Sequence, residues 1–489
     1  MEMRLEELYR LLTIAGIMLY WLVIAGVTVR IVTKRRAIGV ALAWMLIIFV
    51  VPVGGIIAYL LFGELNLGRK RAQRARAMFP PYGQWFASLH KWRLYQPQTL
   101  SAFSREISHL CERRLGIPAL ADNQLQLIST TDAILKQLII DIHQANSSIS
   151  MEFYIWHPGG LADEVANALI QTHQRGVSVK VLLDAAGSGA FFKSHWPQMM
   201  RNAGIRVNAA LPVSPFRMFF QRIDLRMHRK IVVIDNRIAY TGSMNLVDPA
   251  FFKQNAGVGQ WIDVMVRVTG SNVPVLHSIH AWDWESETGE RDLPAIPELN
   301  AHHDDAIKDM VQVIPSGPGM PEAIIQQVLL QSIYQATTSI SITTPYFVPS
   351  EVLLFALCSA AQRGLKVTLI IPDKNDSMMV EWASRSFFSE LLDAGVHIHR
   401  FQGGLLHTKS VVFDEQFSLI GTVNLDMRSL WLNFEVTLAV DNLEFTQSLV
   451  ALHDGYLDHC IKVNRKEWKN RRIHKRFMEQ FFYWFSPLL

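Results

Sequence analysis

The chain has 489 residues, half of them hydrophobic, with a positive mean hydropathy of +0.15. That length allows two to four structural units at roughly 100–200 residues each, and the hydropathy is high for a purely soluble enzyme. A net charge of +4 argues against a globally basic nucleic-acid binder. Cys111, Cys358 and Cys460 lie too far apart to outline a disulfide framework or a zinc site.

The apolar runs Leu11–Val29 and Ala37–Gly63 carry no charge. A spanning helix needs about 20 apolar residues, so both runs predict transmembrane helices. The first lacks a small-residue cleavage site and meets a second apolar run at once, which argues against a signal peptide. Pro52, with Gly54 and Gly55, is expected to kink the second helix or make it re-entrant. With two spans both termini share a side. That side holds Arg4, Arg10, Arg69, Lys70, Arg71, Arg74 and Arg76, against Arg30, Lys34, Arg35 and Arg36 in the connecting loop. The bias predicts a cytoplasmic catalytic part. Residues 1–76 are thus assigned to a membrane anchor and 77–120 to a connector.

The remainder repeats itself. Ala145–Ser150 echoes Ala336–Ser341, and each leads into an aromatic stretch, Phe153-Tyr154-Ile155-Trp156 or Pro345-Tyr346-Phe347. Arg175–Val181 matches Arg363–Leu369, and Asn202–Ile205 matches Asp393–Val396, at offsets of 188 to 191 residues. Such ordered matches mean two homologous lobes, assigned to 121–295 and 306–460, with a linker near Thr288–Asp305. Helical patterns at Ala162–Gln174 and Glu351–Gln362 alternate with β-branched runs at Val177–Leu183 and Val367–Ile371. Each lobe is therefore predicted as α/β, a mixed sheet flanked by helices.

The sharpest shared element is His228-x-Lys230-x4-Asp235 in lobe one and His407-x-Lys409-x4-Asp414 in lobe two. In both, six residues intervene before Gly242-Ser243-Met244-Asn245 or Gly421-Thr422-Val423-Asn424. Residues i and i+2 of a strand share a face, so each His–Lys pair can share a side. Imidazole, ammonium, hydroxyl and amide groups without an acidic cage suit a phosphodiester whose charge is stabilised without metal. One copy alone would read as a strand with a surface His and Lys. Two copies at matched places in a repeat read as one shared catalytic site.

The paired motifs resemble those of the phospholipase D superfamily, over roughly Asn123 to His459. The resemblance implies that both lobes build one active site: one histidine attacks phosphorus and the other serves as acid and base. Lysines and asparagines hold phosphate oxygens, and Asp235 and Asp414 are more structural than chemical. It leaves open which histidine attacks; in the family it is more often that of the first lobe, here His228. Asp263 and Glu435, 35 and 28 residues after the motif histidines, are candidates to orient the imidazoles through Nδ1. Ser243, Asn245, Thr422 and Asn424 are candidates to bind phosphate or support the site.

The ends of the chain narrow the substrate. Lys462, Arg465, Lys466, Lys469, Arg471, Arg472, Lys475 and Arg476 run into the aromatic stretch Phe477–Phe485. Residues 461–489 are expected to form a basic, aromatic membrane-interface tail. The whole arrangement is similar to bacterial cardiolipin synthases, on Gly257–Asp263, Thr344–Pro349, Gly403–Ser410 and Thr422–Leu430. That resemblance implies an inner-membrane, multi-pass enzyme that joins two phosphatidylglycerol molecules without metal or other cofactor. It implies anionic lipids as partners and no nucleic acid, and leaves a homo-oligomer open. Phe191, Phe192, Phe219, Phe220, Trp382 and Trp431 are candidates to dry the site and seat acyl chains. Arg217, Arg222, Arg226 and Arg428 are candidates for the second headgroup. The rivals are a membrane-bound phospholipase D releasing phosphatidic acid, a tethered nuclease, and a lipid-binding scaffold; intact copies of all six motif residues argue against the last.

Overall fold

A computed structural model describes residues 2–34, 38–64, 66–90, 101–212, 222–295 and 309–486. The candidates Arg217, Phe219 and Phe220 fall outside them, as does the second half of the expected linker. The chain divides into two units, Met1–Lys70 with Val213–Asp224, and Arg71–Pro212 with Leu225–Leu489.

In the first unit one helix, Glu2–Thr33, is long and apolar enough to cross a membrane, over Glu6–Thr33. The second apolar run does not form the expected second spanning helix. It breaks into Ile38–Val50, Pro52–Ala58 and a π turn at Tyr59–Gly63. Pro52 has no N–H to continue the first piece, and Val51 leaves the helical region at φ −131°, ψ 73°. Gly55 lets the two pieces fold closely: a Cβ there would lie 2.8 Å from the Ile47 carbonyl oxygen. The returning piece brings Glu64 onto Arg30, Nε–Oε1 2.6 Å and Nη2–Oε2 2.7 Å, and the Tyr59 hydroxyl donates to the same carboxylate at 2.8 Å. Arg30 sits in the last turn of the long helix. The second run thus ends beside the end at which it began, as a re-entrant hairpin does.

In the second unit each lobe carries one sheet. Lobe one has the strand order Asn123–Ile128, Met265–Gly270, Ile238–Gly242, Ile231–Ile234, Ser148–Phe153, Ser178–Asp184, Arg206–Ala210. Lobe two repeats it as Met310–Ser316, Asn433–Asp441, Phe417–Gly421, Ser410–Phe413, Ser339–Thr343, Lys366–Pro372, His397–Phe401, and adds Cys460–Lys462 at the edge. The first four strands of each are antiparallel to their neighbours, and the next three are mutually parallel. The expected helices appear as Leu161–Gln174 and Glu351–Gln362; Ser350 caps the second by accepting from the Leu353 N–H. Gly176 and Gly364 follow at φ 99° and 97°, conformations that stop a helix without a Cβ penalty.

Ile231, Val233, Val264 and Val266 of lobe one share a buried core with Val412, Ile420, Val436 and Leu438 of lobe two. The buried helix Val273–Thr288 lends Val273, Val275 and Ile279 to it. The lobes are therefore welded through their motif strands.

The re-entrant hairpin has a direct consequence. In sealed vesicles, an impermeant thiol reagent should label Lys34→Cys and Asn66→Cys from one face and Glu6→Cys from the other. Labelling of Asn66→Cys from the face that exposes Glu6→Cys would mean that the second run crosses.

Candidate active site

Each motif is preceded by two residues that pair, in parallel, with the opposite lobe. Arg226–Met227 pairs with Asn433–Phe434, and Leu405–Leu406 pairs with Trp261–Ile262. The next residue on each strand is a motif histidine or a carboxylate. The His228 N–H donates to the Phe434 carbonyl at 3.0 Å, and the His407 N–H to that of Ile262 at 2.8 Å. The side chains cross with the backbone. His228 Nδ1 lies 2.8 Å from Glu435 Oε2, and His407 Nδ1 lies 2.7 Å from Asp263 Oδ1. Their positions after the motifs suggest that each carboxylate serves the histidine of its own lobe. The fold exchanges them, because each histidine's ladder partner comes from the other lobe.

The remaining groups are arranged in parallel fashion. Lys230 Nζ donates to the His228 carbonyl and Lys409 Nζ to the His407 carbonyl, both at 2.6 Å. Ser243 donates to Asp263 at 2.6 Å and accepts from the Val264 N–H at 3.0 Å. Thr422 donates to Glu435 at 2.5 Å and accepts from the Val436 N–H at 2.9 Å. Both hydroxyls thus bond the carboxylates that meet the two histidines. The preceding glycines have a steric cause: a Cβ on Gly242 would lie 2.4 Å from the Val264 oxygen, and one on Gly421 2.3 Å from that of Val436. Asn245 Oδ1 accepts from the Ile155 N–H at 3.3 Å, and Asn424 donates to Ser429 at 3.2 Å.

Asp235 and Asp414 stand apart from this chemistry. They occupy hairpin turns with φ of 54° and 51°, followed by Asn236 and Glu415, also at positive φ. Asp235 accepts the backbone N–H groups of Asn146, Ser147 and Ser148, and Asp414 those of Thr337, Thr338 and Ser339. Burial raises their pKa values, but these donors outweigh it and hold both carboxyls below the usual range. They tie each hairpin to the loop before the sheet's first parallel strand.

Burial dominates the electrostatics. It pulls the His228 and His407 imidazoles down to about 4, against the raising effect of Glu435 and Asp263. It pulls Lys230 down to about 7 and Lys409 to about 8, although Glu435 and Asp263 each favour the ammonium. Each lysine also acts on the other lobe's histidine, which places all four groups in one electrostatic field. Glu435 and Asp263 stay below the usual carboxylate range; burial raises them, and the neighbouring histidine and lysine outweigh it. With Nδ1–H donated to a carboxylate, each neutral ring keeps its lone pair on Nε2. The halves then differ. Lys409 Nζ lies 3.1 Å from His407 Nε2, whereas His228 Nε2 makes no hydrogen bond among the described residues.

Aromatic rings wall the histidines. Tyr154 sits edge-on to His228 at 5.0 Å; Trp261 lies 4.4 Å and Tyr346 6.4 Å from His407. None was among the candidates for drying the site. Their signal was present, since Tyr154 and Tyr346 occupy the matched aromatic stretches of the repeat. Of the nominated apolar residues, Phe191 is fully buried on Trp156 in the lobe-one core, where Phe192 also packs. Trp382 and Trp431 pack on the lobe-two core. Arg226 and Arg428 both act electrostatically on Tyr154 beside His228. Arg222 belongs to the first unit, paired with Asp224 at 2.5 Å.

A buried cluster stands behind the motif of lobe one. Arg229, between His228 and Lys230, forms a fully buried ion pair with Asp283. Its Nε donates to the Glu435 carbonyl at 3.0 Å and its Nη2 to that of Ser316 at 3.3 Å, both in lobe two. Glu152 is fully buried beside it; burial, and then Asp283, hold its pKa well above the usual carboxylate range. Arg229 thus ties the lobes behind the catalytic pair.

The family model described as the PLD-like domain of cardiolipin synthase matches residues 138–264 and again 329–454, and a phospholipase D-nuclease N-terminal model matches 21–64. Cardiolipin synthase A of Yersinia pseudotuberculosis serotype O:1b (strain IP 31758) is 54% identical over 471 residues, covering 96% of this chain and 97% of that one. The Yersinia pestis protein of the same name gives the same figures. Among solved structures, phosphatidylserine synthase of Haemophilus influenzae Rd KW20 shares the fold at a TM-score of 0.56 and 14% identity, over 79% of this chain and 98% of that one.

The electrostatics set a pH window. Activity at low substrate should fall as pH drops through about 4, where the histidines protonate, and as it rises through about 7 to 8, where the lysines lose charge. Between the ordinary lysine value of about 10.4 and about 7, the unfolded chain holds a proton that folded Lys230 has released, so this lysine costs more stability as pH falls. Lys230→Met should therefore lower turnover roughly 10²–10³-fold without lowering Tm at pH 7. A much lower Tm with activity retained would refute this account. On the repeat, the crossed site and the near full-length match together, the chain belongs to the cardiolipin synthase family of phospholipase D-like enzymes.

Proposed function

We propose that the chain is a cardiolipin synthase in which His228 carries the phosphatidyl group between two phosphatidylglycerol molecules. The observation that carries the assignment is the unequal state of the two Nε2 atoms. That of His228 makes no hydrogen bond among the described residues and holds a lone pair, whereas that of His407 meets the Lys409 ammonium. His228 Nε2 attacks phosphorus and the P–O bond to glycerol breaks. The glycerol oxygen takes the proton held by the His407–Lys409 pair. The terminal hydroxyl of a second phosphatidylglycerol then gives its proton to His407 and attacks phosphorus; the P–N bond breaks and cardiolipin leaves. Each step exchanges one phosphoester or phosphoramidate bond for another, so no nucleotide is consumed.

The depressed pKa values suit this cycle. An arriving phosphodiester brings negative charge against two buried lysines and two buried imidazoles, and raises the proton affinity of all four. The substrate therefore charges the acid that it needs. Glu435 holds the nucleophile's tautomer and Asp263 that of the acid. Tyr154, Trp261 and Tyr346 limit water, which would divert the intermediate to phosphatidic acid.

The same reading extends to sidedness. With one crossing, Arg30, Lys34, Arg69, Lys70, Arg71, Arg74 and Arg76 would share one side. Arg4 and Arg10 lie on the other. That asymmetry supports a cytoplasmic catalytic unit more strongly than two spans would.

Purified protein given phosphatidylglycerol in metal-free buffer should release cardiolipin and glycerol in equal amounts. Phosphatidic acid as the sole lipid product would replace the synthase reading by a hydrolase, and absence of turnover with any phospholipid would overturn both.

A further inference from the structure

The C-terminal helix Ile473–Tyr483 is inverted for a soluble surface helix. Its protein-facing side carries Glu479, fully buried, which Arg471 grips through Nη2 at 2.6 Å and Nε at 2.8 Å, with Arg385 at 3.5 Å. Met478 and Phe482 pack on the lobe-two core. The solvent side carries Ile473, Phe477, Phe481 and Trp484, which are 84%, 68%, 48% and 82% exposed. Their spacing of i, i+4, i+8 and i+11 makes one stripe. Exposed Arg476 lies beside the stripe and exposed Lys469 and Arg472 precede it; Lys469 pairs with Asp393 at 2.8 Å, exposed Lys475 shares the helix face of Glu479, and among the described residues Arg472 and Lys475 make no ion pair. Isolated exposed apolar residues need no explanation, but a continuous aromatic stripe rimmed by cations does.

We propose that this helix lies in the interface of an anionic bilayer, with the stripe among the headgroups and upper acyl chains and the neighbouring Arg472 and Arg476 on lipid phosphates. At 11 residues it is too short to span a bilayer, which takes about 20, but it suits an in-plane anchor. The basic rim selects an anionic surface over a neutral one. The helix packs on Met378–Ser386, and Tyr483 meets Phe387 edge-on at 5.6 Å. Just before that packed helix, Asp376 accepts from the Tyr346 hydroxyl at 2.8 Å and pairs with Lys253 at 2.7 Å. Tyr346 in turn faces His407. Docking of the tail therefore holds the acid side of the site at the lipid surface. The inference rests on the reading that the substrate is a membrane lipid, and it adds a second point of attachment.

The test uses the full-length protein bearing Trp484→Cys with an environment-sensitive dye, reconstituted into phosphatidylglycerol or phosphatidylcholine vesicles that contain a shallow spin-labelled lipid. The unsubstituted chain controls for native cysteines. The dye should shift to the blue and be quenched in phosphatidylglycerol vesicles. Quenching should be weaker in phosphatidylcholine, and Lys469→Glu, Arg472→Glu, Lys475→Glu and Arg476→Glu together should reduce tail engagement roughly tenfold or more. No lipid quenching in either vesicle would overturn the proposal. Energy transfer between labelled copies in place of lipid quenching would also overturn it, and would assign the stripe to contact between copies. Because quenching is read without turnover, a protein that makes no cardiolipin can still pass, and an active one can still fail.

Discussion

Two short parallel ladders, each two residues long, set the chemistry of this enzyme. They join the backbone just before each motif histidine to the backbone just before the opposite lobe's carboxylate. Once these pairs form, the crossed His–carboxylate contacts follow from strand geometry, because the next residues on paired strands are neighbours. Neither lobe alone contains an oriented imidazole. The shared core and the Arg229 clamp keep the ladders in register. Breaking the Arg229–Asp283 pair from one side would leave a buried charge at a cost of about 3–5 kcal/mol.

Burial then gives the site its reactivity at a cost in stability. Two lysines and two histidines are held out of water, so burial pulls all four pKa values down: the empty site holds both imidazoles neutral near pH 7 and leaves Lys409, at about 8, with its proton. The carboxylates moderate that penalty without removing it. A phosphodiester supplies the missing negative charge, so the lysines and His407 are drawn toward their charged forms when the reacting phosphate is present, while His228, held down to about 4, keeps its lone pair. This is electrostatic preorganisation with the charge completed by substrate. The same arrangement leaves a free lone pair on His228 and a proton beside His407, which divides two nearly symmetric residues into nucleophile and acid.

Much of this was legible in the sequence. The repeat announced two lobes, and the paired motifs with Gly-Ser and Gly-Thr named the residues that converge. The crossing was not legible, since spacing along one lobe says nothing about which lobe supplies a ladder partner. Ser243 and Thr422 read as phosphate-binding or supporting, because a small hydroxyl after glycine can serve either role; their bonds to Asp263 and Glu435 are tertiary contacts that spacing does not show. Tyr154 and Tyr346 were visible as a matched aromatic stretch, but periodicity cannot tell a core ring from one that faces a histidine. The second apolar run had length and composition for a span. Its break at Val51–Pro52 was signalled by Pro52, while the return of Glu64 to Arg30 is a tertiary contact. The buried Glu152 and Asp283 left no sequence signal, because an isolated acid in a strand or helix normally faces water.

The central claim is that one site is built by exchange, with His228 served by Glu435 and His407 by Asp263. A phosphatidyl ester of p-nitrophenol tests it most directly, because that leaving group needs no acid. His407→Ala should then release one equivalent of nitrophenol per site and stall, whereas His228→Ala should give no burst. Asp263→Asn, although in the lobe of His228, should keep the burst and slow the second step, as His407→Ala does, while Glu435→Gln should suppress the burst. If Asp263→Asn instead abolished the burst and Glu435→Gln spared it, each carboxylate would be serving its own lobe, and the crossed site would be wrong.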